Sequence, residues 1–388
     1  DRSPHAVREH RMTRELIAEA ERVVVKIGSS SLTTADGMLA GEHVDALVDV
    51  LADRVQRGQQ VVLVSSGAVA AGIGPLGLPG RPRTLPIQQA AASVGQGLLL
   101  SRYTTAFRRH GITVGQVLLT AGDLTRRAHY SNARHTLECL LSFDVVPIVN
   151  ENDTVATHKH GDNDKLAALV AHLIKADAVV LLSDIDALYN GPPEHPDSRV
   201  VSVVSGHHDL AGLSIGGQGD GVGSGGMATK VEAAIIATSA GTPVVLTSAP
   251  LAQQALRGDE VGTLFEPSDR PLSARYLWLA HATTGEGALV LDDGAVAAIV
   301  QRRKSLLPAG IVAVRGDFTA GRPVDLVDLR GVMVARGLSA YDAAELPAML
   351  GRSTRDLAAE LGPSFEREVV HADDLVVLSR RNATGVRG

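Results

Sequence analysis

Two lysines of this chain occupy positions that indicate chemistry with anions. Lys26 lies inside the otherwise apolar run at 23–27, Val-Val-Val-Lys-Ile, and an ammonium group buried there needs a partner. Lys230 ends a glycine-rich segment, residues 216–230, that leads into a predicted helix. Free backbone N–H groups and a helix N-terminus favour anions such as phosphate. An edge-strand lysine facing solvent and a flexible linker are the alternatives, and we favour anion binding at both places.

Carboxylates and amides are concentrated in two short clusters between these lysines. The first, at 150–154, is Asn-Glu-Asn-Asp-Thr, and the second, at 161–165, is Gly-Asp-Asn-Asp-Lys. Asp162 or Asn163 could simply cap the helix predicted from Lys165, but one cap does not account for two polar clusters. Lysines and carboxylates around anion-binding turns indicate phosphoryl transfer, because that chemistry depends mainly on neutralising charge.

Two further turns carry small residues directly after predicted strands. Residues 28–31 are Gly-Ser-Ser-Ser, and residues 65–68 are Ser-Ser-Gly-Ala. Glycine lets the backbone approach a ligand closely, and free N–H groups suit phosphate oxygens. A tight strand-to-helix turn explains 65–68 equally well. Residues 72–77, Gly-Ile-Gly-Pro-Leu-Gly, match a dinucleotide-binding pattern formally, but they follow a helical turn rather than a strand, so we discount them.

Other reaction chemistries find little support in the sequence. The glycine-rich segment lacks the G-x-x-x-x-G-K-[ST] pattern of a P-loop. Cys139, the single cysteine, lies in an apolar run and is interpreted as a buried core side chain. The stretch His158, Lys159 and His160 is interpreted as a loop. Nothing indicates a nucleophilic triad or a zinc site.

The segments that must position these residues alternate between strand and helix patterns from Glu21 to about Phe265. Helical periodicity covers 166–174 and begins again at Val231. Six short apolar runs, typical of parallel strands buried on both faces, lie at 23–27, 60–64, 113–119, 145–149, 178–182 and 242–246. This alternation predicts an α/β fold with an open, mainly parallel sheet sandwiched by helices. Ligands bind such sheets at the carboxyl ends of the strands.

After about Pro267 the pattern changes to short, glycine-punctuated strands, which predicts a small β-rich C-terminal domain. Its predicted strands are 288–291, 311–314, 323–327 and 332–336, and its predicted helices are 295–302 and 341–346. The predicted domains are an N-terminal extension at 1–19, with 1–11 outside the fold, an α/β domain at 20–266, a linker at 267–284, the β-rich domain at 285–378 and a tail at 379–388.

Composition argues against several classes of partner. The 388 residues carry a formal net charge of −6, so no basic field indicates nucleic acid. No uncharged apolar run reaches the roughly 18 residues of a membrane span, and the N-terminus lacks the apolar stretch of a signal peptide. One cysteine excludes an intramolecular disulfide framework. We expect a cytoplasmic protein without a membrane partner.

At these residues the sequence resembles the amino acid kinase family, over about 20–378. The segment around Lys26, Val-Lys-Ile-Gly-Ser-Ser, is similar to the family's V-K-x-G-[ST]-S opening. Residues 64–68 resemble its V-[ST]-S-G-A turn, and three further segments resemble N-E-N-D, G-D-N-D and G-G-M-x-T-K, at 150–153, 161–164 and 225–230. Together with the C-terminal β-rich domain, these motifs resemble those of the family members that act on glutamate. The resemblance implies ATP-dependent phosphorylation of the glutamate side-chain carboxylate to glutamyl 5-phosphate, the first step of proline biosynthesis.

The resemblance also implies roles by position. Lys26 and Lys230 would neutralise the transferring phosphoryl group, and Asp164 would hold both lysines in place. Asp153 would take the ammonium group of glutamate. The full set implied for glutamate is Ser66, Gly67, Asp153 and Asn163. The set implied for the nucleotide is Lys26, Ser183, Asp184, Ser224, Gly225, Gly226, Met227, Ala228, Thr229 and Lys230.

Cofactors and partners follow from the same resemblance. Mg²⁺ would be carried by ATP, with no metal site assigned to the chain itself. Feedback inhibition by proline is implied, and we expect a homo-oligomer. The family usually has Thr where Ser183 stands, which keeps the hydroxyl. The loop between the two acidic clusters is slightly short, which leaves the role of Lys159 open.

The C-terminal domain resembles a PUA domain, a fold named for RNA-modifying enzymes. Residues 306–311, Leu-Leu-Pro-Ala-Gly-Ile, are similar to its S-L-L-P-x-G-I segment. Acidic residues there, such as Asp325 and Asp328, argue against RNA as a partner, and we favour a regulatory or structural role. The alternatives for the whole chain are a kinase of the same fold acting on N-acetylglutamate, aspartate, carbamate or UMP, or an RNA-binding protein with an inactive kinase fold. Intact Lys26, Asp164 and Lys230 argue against the inactive fold.

Overall fold

The computed structural model of the chain describes residues 4–34, 37–120, 123–124, 127–155, 163–210, 226–268, 271, 279 and 285–378. It divides into two compact units, Asp1–Leu272 and Ser273–Gly388. The division lies inside the segment 267–284 that was expected to be a linker. Among the described residues, no helix has the length and apolar character needed to cross a bilayer.

The first unit contains alternating strands and helices, as expected of an α/β fold. Its strands are β1 (Arg22–Ile27), β2 (Gln60–Ser65), β3 (Val114–Leu119), β4 (Val146–Glu151), β5 (Ala178–Ser183), β6 (Val203–Val204), β7 (Val244–Ser248) and β8 (Thr263–Phe265). Its helices are α1 (Pro4–Glu19), α2 (Ser29–Leu32), α3 (Gly41–Gln56), α4 (Ala68–Ile73), α5 (Leu85–Arg108), α6 (Arg127–Ser142), α7 (Asn163–Leu173), α8 (Met227–Ser239) and α9 (Ala252–Leu256). Each of the six predicted strands is present, within two residues of its expected bounds.

The described strands of this unit form one eight-stranded sheet in the order β3-β4-β2-β1-β5-β7-β8-β6. Neighbouring strands are parallel except for β7 and β8, which pair antiparallel. All six residues of β5 are buried, since helices cover both faces. Strand β1 lies between β2 and β5, where Lys26 is in register with Val64 and Leu181. Lys26 is therefore in a central strand, and the edge-strand alternative is wrong.

Helices α4 and α5 cross with their backbones almost in contact. A Cβ atom on Gly72 would lie 2.0 Å from the carbonyl oxygen of Ala91, and one on Gly95 would lie 1.8 Å from that of Ala68. Any side chain at either position would push the helices apart, so only glycine fits. Gly72, part of the formal dinucleotide-binding pattern, thus serves helix packing.

Helix α1 packs on the first unit through its later residues. Ile17 is fully buried in the core. The buried Arg14 donates to the carbonyl oxygens of Asp259 and Val261, each at 2.9 Å. His10 Nδ1 lies 2.6 Å from Glu266 Oε1. The N-terminal extension therefore belongs to the packed unit from His10 onward, rather than lying outside it up to residue 11.

The second unit is built around a five-stranded sheet. Its described elements are β9 (Gly287–Leu291), α10 (Asp293–Val300), β10 (Ile311–Gly316), β11 (Pro323–Val327), β12 (Met333–Leu338), α11 (Thr354–Leu361) and β13 (Leu375–Val377). The strand order is β10-β9-β11-β12-β13, and only β9 and β11 pair in parallel. The prediction of a β-rich domain is confirmed. Helix α11 and strand β13 were not predicted.

The helix predicted at 341–346 is wrong. Several of its backbone groups bond to side chains, and the N–H of Ala343 donates to the distant carbonyl oxygen of Phe318, so a helical ladder does not form. The carbonyl oxygen of Tyr341 accepts from Ser339 Oγ at 2.7 Å, and the N–H of Asp342 donates to Glu345 Oε2 at 2.8 Å. Only a short 3₁₀ turn, Leu346–Ala348, follows.

Cys139 also differs from expectation, because its side chain is exposed. The apolar run that contains it lies on α6, where Ala133, Leu137 and Leu141 are the buried positions. These residues are four apart and share one helix face. Cys139 follows Leu137 by two residues, so it points away from that face.

Candidate active site

Two lysines and one aspartate meet at the carboxyl ends of the central strands. Lys26 Nζ lies 2.5 Å from Asp164 Oδ1, and Lys230 Nζ lies 3.3 Å from Asp164 Oδ2. As whole residues, Lys26, Lys230 and Asp164 are 4%, 7% and 1% exposed. The residues predicted to do the chemistry are therefore brought together as one buried cluster, with two ammonium groups sharing one carboxylate.

Three separate elements supply this cluster. Lys26 is the penultimate residue of β1, while Asp164 and Lys230 lie in the first turns of α7 and α8. Thr229 Oγ1 also approaches Asp164 Oδ2, at 3.3 Å, and donates to the carbonyl oxygen of Gly226 at 2.9 Å. The positive ends of two helix dipoles thus point toward the cations, which favours an anion at this place.

Asp164 is held in its ionised form. Burial alone would raise its pKa, but the charges of Lys26 and Lys230, and hydrogen bonds from both ammonium groups, outweigh burial and lower the pKa. A carboxyl group that stays ionised is poorly suited to act as a general acid. Its geometry suits a counter-ion that fixes the positions of two cations.

The turn after β2 lies beside this cluster. The N–H of Ser66 donates to the carbonyl oxygen of Ile27 at 3.1 Å, which ties the turn to the end of β1. Gly67 has φ of 107°, in the left-handed region that favours glycine, and α4 begins directly after it. Asn163 Nδ2 donates to Ser66 Oγ at 2.9 Å. Three of the residues expected to bind an amino acid, Ser66, Gly67 and Asn163, are therefore neighbours in the structure.

Asp153 is half-buried in the turn after β4. Burial raises its pKa to about 6. No hydrogen bond or ion pair joins it to another residue within the described part of the chain. The turn that contains Asp153 lies at the carboxyl end of β4, a strand of the same sheet as β1.

The residues expected to bind nucleotide lie partly within the described structure. The N–H of Gly28 donates to the carbonyl oxygen of Leu182 at 3.4 Å, which places the buried Ser183 next to the turn after β1. Ser183 Oγ donates to the exposed Asp184 at 2.9 Å. Gly226 precedes α8, and Met227, Ala228 and Thr229 form its first turn with Lys230. Ser224, Gly225, Asp162 and the loop 158–160 lie outside the described residues.

Sequence reasoning missed two side chains behind this site. Tyr103 is fully buried on α5, and its hydroxyl lies 2.8 Å from Ser65 Oγ, directly behind the Ser66 turn. Gln96 precedes Tyr103 on the same helix, and its side chain accepts a hydrogen bond from Asn150. Neither residue carried a motif or a spacing that could have identified it, because both contacts depend on how α5 packs.

Two family models match this chain. Residues 21–248 match the model of the amino acid kinase family, and residues 287–361 match that of the PUA domain. The chain belongs to the amino acid kinase family.

The relatives with high sequence identity carry a more specific name than the family does. The glutamate 5-kinase of Salinispora arenicola is 64% identical and covers 94% of this chain and 100% of its own length. That of Streptomyces avermitilis is 61% identical over 94% of this chain and 98% of the relative, and that of Thermobifida fusca is 61% identical over 97% of both. Among solved structures, the carbamate kinase from Giardia lamblia bound to AMP-PNP covers 65% of this chain and 100% of its own, with 18% identity and a TM-score of 0.49.

Proposed function

We propose that this protein phosphorylates the side-chain carboxylate of glutamate with ATP, giving glutamyl 5-phosphate and ADP. The observation that carries the proposal is the buried cluster in which Lys26 and Lys230 share Asp164. The choice of glutamate is supported by relatives called glutamate 5-kinase at 60–64% identity over about 94% of this chain. Formation of this acyl phosphate is the first step of proline biosynthesis.

The reaction needs charge stabilisation more than proton transfer. The glutamate carboxylate is already ionised near neutral pH, so it attacks without a general base. Its oxygen forms a bond to the γ-phosphorus of ATP, the bond to the β–γ bridging oxygen breaks, and ADP leaves with the electron pair. Lys26 and Lys230 would stabilise the charge on the transferring phosphoryl group. Asp164 would keep the two ammonium groups at the required separation.

The substrate is proposed to lie between the Ser66 turn and Asp153. Asp153 would bind the ammonium group of glutamate, while Ser66, Gly67 and Asn163 bind its polar atoms. Ser183 and Asp184, with the segment from Ser224 to Lys230, would hold ATP. Within the described residues, no group of three or more His, Cys, Asp or Glu side chains could hold a metal ion. We therefore propose that Mg²⁺ enters on the phosphates of ATP.

Proline would compete with glutamate because it carries the same paired ammonium and carboxylate groups. We propose that proline inhibits the enzyme at the glutamate site. We also propose that the protein is a homo-oligomer, and light scattering would measure its oligomeric state. The second unit is proposed to be regulatory or structural rather than RNA-binding.

The decisive experiment is ADP release by the intact protein with glutamate, N-acetylglutamate, aspartate, carbamate or UMP as acceptor. Hydroxylamine in a parallel reaction traps an acyl phosphate as a hydroxamate. We expect ADP and hydroxamate in equal amounts with glutamate, and lower glutamate turnover when proline is added. Faster turnover with another acceptor would refute the assignment of the substrate.

A further inference from the structure

A chain of polar side chains runs from helix α5 to the Ser66 turn. Gln96 Oε1 accepts from Asn150 Nδ2 at 2.8 Å, and Asn150 Oδ1 accepts from Asn163 Nδ2 at 3.0 Å. Asn163 Nδ2 also donates to Ser66 Oγ at 2.9 Å. We call these four residues, Gln96, Asn150, Asn163 and Ser66, the amide relay. The relay reaches the proposed glutamate site from a helix that supplies none of the predicted site residues.

A backbone group fixes the direction of the amide relay. The N–H of Glu151 donates to Asn150 Oδ1 at 2.8 Å, and a backbone N–H can only donate. The Asn150 oxygen is thereby assigned, so its nitrogen must face Gln96. Asn163 must then present its nitrogen to Asn150, and Gln96 must present its oxygen. The orientations of all three amides follow from one unambiguous donor.

The consequence appears at the substrate end of the relay. Because Asn163 Nδ2 serves Asn150 and Ser66, the carboxamide oxygen of Asn163 is left over. That oxygen is buried and has no hydrogen-bond partner within the described residues. It is an acceptor, which suits an ammonium group rather than a carboxylate. Ser66 Oγ already accepts from Asn163, so its own hydrogen remains available to a substrate oxygen.

Gln96 supplies the acceptor that Asn150 needs. Asn150 is only 1% exposed, so its Nδ2 needs an acceptor inside the protein. Gln96 Oε1 is the acceptor that the structure provides. Without this acceptor, the Asn150 amide would turn toward other hydrogen-bond partners. Asn150 would then no longer fix the orientation of the Asn163 amide.

We propose that Gln96 is a positioning residue that, through Asn150, holds the Asn163 oxygen toward the ammonium group of the substrate. This inference rests on the proposed glutamate kinase function and adds a determinant of affinity that touches no substrate atom. Gln96 acts by accepting a hydrogen bond. A side chain that accepts at the same place should therefore preserve its function, whereas an apolar side chain of similar length should not.

Two variants of Gln96 separate these properties. Gln96→Glu keeps an acceptor, whereas Gln96→Met keeps length and volume but has no amide oxygen. We expect Gln96→Met to raise the glutamate KM at least about fivefold, which is the effect of losing one ordinary hydrogen bond. Its kcat and its KM for ATP should stay within about twofold of the unmodified enzyme, as should all three constants of Gln96→Glu. An unchanged glutamate KM in Gln96→Met, or equal impairment of both variants, would overturn the proposal.

A double-mutant cycle tests the relay even if Gln96→Met folds poorly, which its melting temperature would reveal. Asn150→Asp still accepts from Glu151, and Gln96 can turn its amide to donate to the new carboxylate. With Gln96→Glu in addition, two carboxylates would face each other. We expect the double variant to raise the glutamate KM more than the product of the single effects. Independent effects would contradict the relay. Absence of glutamate-dependent ADP release in the unmodified enzyme would instead refute the proposed function.

Discussion

Each unit contains an ion cluster, and the two clusters differ in burial and in how their charges are arranged. In the first unit, Lys26 and Lys230 share Asp164. In the second unit, Arg336 Nε lies 2.6 Å from Asp325 Oδ1, and the two residues face each other across β11 and β12.

The difference lies in position as much as in charge. Asp325 and Arg336 are directly paired in the register of a hairpin, so their contact helps to fix strand pairing. Lys26, Asp164 and Lys230 come from three elements that meet at the carboxyl edge of a parallel sheet, where ligands bind. Burial of a charge alone therefore does not identify a site. Convergence of like charges from separate elements is the stronger sign of function.

The largest expected effect comes from removing either lysine of the first cluster. Lys26→Ala and Lys230→Ala should each lower kcat by about 10²–10³, because each removes charge that stabilises the transition state. The glutamate KM should change far less. Steady-state ADP release measures both constants, and Lys304→Ala, an exposed lysine of the second unit, is the control. Turnover equal to that of the control would show that the ion cluster of the first unit is not catalytic.

Removing the shared carboxylate should destabilise the protein as well as inactivate it. Asp164→Asn leaves two buried ammonium groups next to each other, and breaking a buried ion pair in this way costs about 3 kcal/mol. Urea denaturation gives the free energy of unfolding. Asp53→Asn is the matched control, since Asp53 forms an exposed pair with Arg57 that contributes about 0.5 kcal/mol or less. Equal stability of both variants would show that Asp164 is not needed to hold the lysines.

Asp153 differs from Asp164 because it is a half-buried carboxylate with no cation beside it in the described structure. Its pKa of about 6 means that it is mostly protonated below that pH and ionised above it. The ionised form binds an ammonium group, so the glutamate KM should fall as the pH rises through about 6. Asp153→Asn should raise the KM about tenfold, equivalent to 1.4 kcal/mol, and should remove this pH dependence. A pH dependence that persists in the variant would exclude Asp153 as its source.

The smallest effect is expected at the ion pair of the second unit. Asp325→Asn should lower the stability of that unit by about 1 kcal/mol, because Asp325 remains partly exposed to solvent. The kcat and both KM values should be unchanged. Thermal unfolding and ADP release measure the two outcomes. A loss of turnover with intact folding would make the two ion clusters functionally alike.

Much of the architecture could be predicted because its signals are local. Continuous apolar runs identified the parallel strands, and a charged residue inside such a run identified Lys26. The family resemblance then implied that Asp164 holds Lys26 and Lys230 in place. The same local approach misplaced Cys139, since an apolar run on a helix has an exposed side that depends on the helix period.

Other features could not be predicted, because they depend on contacts between distant segments. Gln96 acquires its role only through Asn150, which is 54 residues away along the chain. The wrong helix at 341–346 has a similar cause, since its backbone bonds to side chains and to the distant residue Phe318, and no periodicity reveals these contacts. In contrast, Ser353 followed by Asp356 is a capping signal for α11 that was present in the sequence.

The close crossing of α4 and α5 has a mechanical consequence. Gly95 packs its backbone against Ala68, one residue past the Gly67 turn, and Gln96 is the next residue along α5. The turn that would hold the substrate and the helix that begins the amide relay are thus joined at a point with no room for sliding. During turnover they should therefore move together as one rigid block.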